Sequence, residues 1–175
     1  IDSSGALILN NSGGDAQFYL GGTSGTSRMY LARSGLDSLL YNVSNGNLRF
    51  GTNNQERLRL TSGGDLLVGT TSTGINTSSS VAGHNFFDHG YVVHARSGQT
   101  VMSLNRQTND GTILDLRKGG SVIGSIGVYS GSLFVGGGDV GLGFYQGADA
   151  LVPFNPAANT RDAAIDLGMS SARYK

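Results

Sequence analysis

Three histidines, His84, His89 and His94, recur at intervals of five residues, with Asp88 beside the middle one. Imidazole and carboxylate are good ligands for borderline divalent metals. Three copies of such a set around an oligomer axis could cage an ion. An odd spacing, however, sends successive histidines to opposite faces of an extended strand. The pattern therefore reads as polar surface or inter-chain hydrogen bonding, and no metal or other cofactor is assigned. Hydrolysis of polysaccharide would need two carboxylates facing a cleft, ~5–9.5 Å apart. Asp110 with Asp115 and Asp162 with Asp166 are the candidate pairs. Asp110 precedes Gly111, a combination that already has a job in a turn, and the second pair sits in a short polar connection. G-x-S-x-G is absent, and so are convincing partners for a nucleophilic serine. No catalytic residue is assigned, and the chain reads as a non-enzyme.

Two further patterns have a functional and a structural reading. Gly136-Gly137-Gly138-Asp139-Val140-Gly141 fits G-x-G-x-x-G, with Asp162 roughly twenty residues later as a dinucleotide site requires. Leu142-Gly143-Phe144-Tyr145 then alternates like a strand, where a dinucleotide site needs the N-terminus of a helix to hold the pyrophosphate. In a glycine-rich chain the match is a chance one. The aromatics Phe86, Phe87, Tyr91, Tyr129, Phe144 and Tyr145 could stack on sugars, although aromatics alternating along strands more often pack against a core or another chain.

The elements that must position these residues are strands. Glycine contributes 29 of 175 residues, about 17%, and charged residues only 14%, against usual shares of about 7% and 25%. Such glycine content suits disorder unless apolar residues are organised. Here they are: hydrophobic residues make up 38% of the chain and alternate in short blocks. Blocks at 16–20, 28–33, 38–43, 47–50, 56–60, 91–95, 100–105, 112–117, 121–129, 132–135 and 140–145 predict strands at roughly ten-residue spacing, the mark of an all-β protein. Asn45-Gly46, Ser97-Gly98, Asp110-Gly111, Gly119-Gly120 and Ser130-Gly131 supply the positive φ of tight turns. Residues 91–145 read as an antiparallel meander. Good helix formers are scarce, since Glu56 is the only glutamate and Lys118 and Lys175 the only lysines. Asn155-Pro156 predicts one helical turn at most.

Acidic and basic residues balance at twelve each, so there is no basic field for nucleic acid. No apolar run approaches the ~20 residues of a membrane-spanning helix. With no cysteine, no disulfide can staple the fold. Ile1 is not a translation start, which suggests a piece of a longer protein.

Residues 1–9 line up with 60–68, an offset of 59, and a weaker echo pairs 45–51 with 130–136. Repeats of one supersecondary unit suggest an elongated array. The expected organisation is a repeat-containing β segment at 1–70, a Ser/Thr/Gly-rich linker at 71–82, a β-meander at 83–150 and a connecting segment at 151–175. Ordering a ten-residue strand and turn costs ~10–20 kcal/mol of backbone entropy. Two or three inward Leu, Val or Phe side chains return ~3–9 kcal/mol. Outer faces of Ser, Thr, Asn and Gly bury little more within one chain, so burial between chains is the expected remedy.

Asn53-Asn54-Gln55-Glu56-Arg57-Leu58-Arg59-Leu60-Thr61-Ser62-Gly63-Gly64-Asp65-Leu66-Leu67-Val68-Gly69-Thr70-Thr71 resembles the repeat of bacteriophage tail fibres and related long adhesins. Ile1-Asp2-Ser3-Ser4-Gly5 resembles the end of a preceding copy. Val152-Pro153-Phe154-Asn155-Pro156, with Ala164-Ile165-Asp166-Leu167-Gly168 and Ser170-Ser171-Ala172-Arg173-Tyr174-Lys175, is similar to a segment of marine-phage fibres. The resemblance spans roughly half of the chain. It implies an elongated, intertwined or side-by-side homotrimeric shaft in a virion, linking the particle to the host surface. Its partners would be copies of itself, other tail or fibre proteins, and a host glycan or protein receptor bound here or at an adjoining tip. A carbohydrate-binding or polysaccharide-degrading spike domain, a trimeric bacterial adhesin and a capsid-attached fibre are the alternatives.

Overall fold

The computed structural model describes residues 17–21, 28–155, 159–160, 168–169 and 172–173. Among them every regular element is a strand except one 3-10 turn, Gln146–Ala148. All strand pairings are antiparallel. The protein is all-β, as its short alternating blocks require. It divides into two compact units, Ile1–Met102 and Ser103–Lys175.

The first unit holds two sheets. Strands β1 (Gln17–Gly21), β2 (Arg28–Ser34) and β3 (Asp37–Asn42) form one in sequential order. Strands β4 (Leu48–Thr52), β5 (Gln55–Leu60), β6 (Leu66–Val68), β7 (Gly83–Phe86) and β8 (Val92–Ala95) form the other. Asn45-Gly46 joins the two sheets and closes no hairpin. There the Asn42 carboxamide accepts from the Ser44 amide at 3.2 Å and donates to the Asn47 carbonyl at 3.3 Å. The β4–β5 hairpin turns on Asn53-Asn54, at φ 51° and 57°. Asparagine tolerates that left-handed region better than other side chains.

The second unit is a meander in strict sequence order: β9 (Gly111–Lys118), β10 (Ser121–Tyr129), β11 (Ser132–Gly137), β12 (Val140–Tyr145), β13 (Ala150–Asn155) and β14 (Asn159–Thr160). Gly119-Gly120 and Ser130-Gly131 close its first two hairpins with positive φ at both central residues, the mirror-image turn that matches strand twist. A separate pair, β15 (Gly168–Met169) and β16 (Ala172–Arg173), lies near the C-terminus.

Four expectations change. The meander begins at Gly111, and β8 pairs with β7 in the first unit. Residues 100–105 alternate in hydrophobicity but form no strand, because 96–110 pairs with no ladder. The boundary between units falls after Met102, so 71–82 separates no domains and instead connects β6 to its own sheet neighbour β7. Strands β6, β7 and β13 form outside the alternating blocks. The predicted helical turn after Asn155 and the first repeat copy at 1–9 lie outside the described residues.

Candidate functional site

The five-stranded sheet has two unlike faces, and its register shows why. Arg59, Leu67, Asn85 and Val93 are cross-strand partners on one face. The 69–82 loop covers part of that face. Ile75 is 1% exposed and Leu67 is fully buried. Asn85 is buried beside them and donates to the Ser72 carbonyl at 2.9 Å. The Ser/Thr-rich composition that suggested a linker is what folds the loop. Thr70 Oγ1 accepts from the Ser72 amide and Ser72 Oγ from the Gly74 amide, each at 3.1 Å. Such local bonds give backbone groups partners where no strand can.

The opposite face of the same sheet is open. One row runs Phe50, Leu58, Val68, His84, His94, and the next runs Leu48, Leu60, Leu66, Phe86, Val92. Phe50, Leu60, Phe86 and Val92 are all more than 40% exposed. A bulge at Arg57 shifts the register, so Phe50 faces Leu58 but Gly51 faces Glu56. Glu56 thereby reaches Arg59, whose Nη2 donates to Oε2 at 2.8 Å and whose Nε donates to Oε1. These bonds hold the Glu56 carboxyl below its usual range and raise Arg59, against a smaller opposing effect of partial burial.

The second unit repeats the asymmetry with a thinner core. On one face Gly127, Phe134, Gly143 and Val152 are cross-strand partners, and Gly136, Gly141 and Phe154 form the next row. The glycines leave room for rings to lie on the sheet. Phe134 and Phe154 stack at 4.9 Å between centroids and are 2% and 3% exposed. Tyr129, Ser132, Leu133, Tyr145 and Val152 help line a pocket of about 360 Å³ over these rings. The other face carries two unbroken apolar rows: Leu114, Ile126, Val135, Leu142, Pro153 and Val128, Leu133, Phe144, Leu151. Its Leu114, Leu133, Val135, Leu142, Phe144 and Leu151 are between 38% and 64% exposed.

The histidines separate into two sites. The β7–β8 hairpin makes His84 and His94 direct cross-strand partners, with their Nδ1 atoms 2.8 Å apart. Odd spacing alternates faces only along one extended strand, and here the chain reverses at Asp88-His89-Gly90. His89 stays in the turn. Its Nδ1 lies 3.0 Å from Asp88 Oδ1, and its ring stacks near Phe87 and Tyr91. No cluster of three or more potential metal ligands occurs among the described residues.

The carboxylates serve local structure. Asp110 accepts from the Ser130 amide, tying the entrance of β9 to the β10–β11 turn. Asp115 accepts from Arg117 Nη2 at 2.9 Å. Asp162 and Asp166 lie outside the described residues. The G-x-G-x-x-G stretch forms the β11–β12 hairpin, a strand-turn-strand with no helix to receive a pyrophosphate. No family model, curated protein or solved structure matches the chain.

Proposed function

We propose that this chain is a structural segment of a bacteriophage tail fibre, a trimeric shaft that joins a virion to the host surface. One observation carries the reading: each larger sheet leaves an apolar face open. Among the described residues five hydrophobic side chains are buried, whereas twenty-six large ones are exposed. A soluble single chain rarely leaves contiguous apolar rows in water. Covering eight half-exposed side chains of one such face is worth on the order of 6–12 kcal/mol, comparable with the cost of association. Copies of the same chain are the occupant these faces suit. The rows carry no Asp, Glu, Lys or Arg, so no fixed charge opposes a second chain there. The resemblance of residues 53–71 to fibre repeats supplies the phage context and the three-fold expectation. Function in such a segment rests on rigidity and length, with no small set of catalytic groups.

Light scattering on the purified chain tests the assembly. A trimer has three times the 18.1 kDa chain mass, about 54 kDa, and electron micrographs should show rods. A folded 18 kDa monomer at micromolar concentration overturns the proposal. The pocket bordered by Tyr129 and Tyr145 favours a second reading, a carbohydrate-binding fibre domain, because exposed aromatic edges beside hydroxyls suit a sugar ring. Glycan-array binding lost on Tyr145→Ala would favour that reading.

A further inference from the structure

From the hairpin geometry we infer that His84 and His94 form a two-histidine chelate for a divalent transition-metal ion of the nickel or copper class. The pair ends the row that begins at Phe50 on the open face of the five-stranded sheet, at edge strand β8, so a second chain on that face must leave this edge uncovered. Strand pairing sets the two rings side by side. The Phe87 amide bonds to the Tyr91 carbonyl at 2.9 Å. In an antiparallel ladder hydrogen-bonded and non-hydrogen-bonded pairs alternate. Counting back from Phe87–Tyr91 makes Asn85–Val93 a bonded pair and His84–His94 a non-bonded one, the type in which side chains stand closest. The rings meet edge to face with centroids 4.9 Å apart. Phe86 borders His94 at 5.9 Å and helps fix its ring.

The 2.8 Å between the two Nδ1 atoms is a hydrogen bond between the rings, and once both rings turn onto one ion a pair this close suits a narrow nitrogen–metal–nitrogen angle. Metal–imidazole bonds of ~2.0–2.1 Å place two cis nitrogens about 2.9 Å apart at a right angle, and about 3.3 Å apart at a tetrahedral angle. Right-angled sites belong to tetragonal and square-planar ions, Cu²⁺ and Ni²⁺. Each imidazole would bind as the Nε2–H tautomer, so the proton now shared between the two Nδ1 atoms moves to a ring Nε2. Water fills the remaining positions on the exposed side of His84. The Asp88–His89 pair is no part of the chelate, because the turn assigns His89 to a different cluster.

The test uses the full chain, with Ni²⁺ titrated by calorimetry and Cu²⁺ followed by electron paramagnetic resonance. The expected result is one site per chain and a copper spectrum split by two equivalent nitrogens. His84→Gln and His94→Gln should each weaken Ni²⁺ binding at least about tenfold, and His89→Gln should leave it unchanged. Both paired histidines lie at the surface or half-buried, and an unchanged thermal midpoint identifies variants that remain folded. If a variant unfolds, the copper spectrum of the parent chain decides by itself. No Ni²⁺ binding at millimolar concentration, a spectrum with one nitrogen or none, or an equal loss with His89→Gln overturns the proposal.

Discussion

Gly127→Ala adds one methyl group to β10 and should destabilise the second unit well beyond what a single methyl usually does. A Cβ at position 127 would sit 2.5 Å from the Gly111 carbonyl oxygen and 2.6 Å from Phe134 Cζ. Ordinary contact begins about 0.8 Å further out, so something must move. The Gly111 carbonyl belongs to the neighbouring strand and is held by the ladder. The Phe134 ring is 2% exposed and stacked on Phe154, so it cannot retreat without opening the stack. Overpacking of this kind costs roughly 1–3 kcal/mol. For a unit of this size each kcal/mol lowers Tm by roughly 4–8 °C. Gly74→Ala is the control, since its nearest neighbours would stand at 3.8 Å and 3.9 Å. Thermal melts of parent, Gly127→Ala, Gly74→Ala and Gly127→Ala/Phe134→Leu form the experiment. The double variant should recover part of the loss, because leucine vacates the space of the ring edge. A Gly127→Ala melt within about 1 °C of the parent would refute the idea that strand glycines here are seats for rings.

Other outcomes follow from the same geometry. Leu142→Lys with Phe144→Asp places opposite charges side by side on the open face of the second unit, and light scattering should then report dissociation into single chains. Ile75→Ala should cost roughly 2–5 kcal/mol, the usual penalty for truncating a buried isoleucine. Limited proteolysis should shift to the 69–82 loop that it anchors. The Glu56 carboxyl is held below its ordinary value near 4.5, so its contribution to stability is present above that pH and fades as pH falls through the lowered value. Glu56→Gln should flatten the acid limb of a plot of thermal midpoint against pH, and an unchanged limb would count against the Arg59 pairing.

Strand class, the first two turns of the meander and the shortage of core were legible in the residues themselves. Alternation around Leu48–Phe50, Leu58–Leu60 and Val140–Tyr145 has period two, which only a pleated strand satisfies, and Gly119-Gly120 and Ser130-Gly131 carry the φ their hairpins need. Local chemistry dictates such features, so they need no knowledge of partners. Which strands pair is a different matter. Asn45-Gly46 looks like a hairpin turn and is a link between sheets. Residues 100–105 alternate like a strand yet find no edge. The 69–82 loop has the composition of a linker and carries a buried isoleucine. Each outcome depends on whether another segment arrives to share hydrogen bonds or apolar surface.

The histidine pair shows the division most plainly. Spacing alone set His84, His89 and His94 on alternating faces of a line. The signal that could have found the pair was present, because Asp88-His89-Gly90 lies midway between positions 84 and 94. A reversal there folds equidistant residues onto each other. Sequence determined that two imidazoles lie five residues either side of a turn-forming centre. Tertiary structure decided that the chain turns there, because pairing β7 with β6 leaves its other edge for β8 to cover, and only that ladder brings two Nδ1 atoms to 2.8 Å.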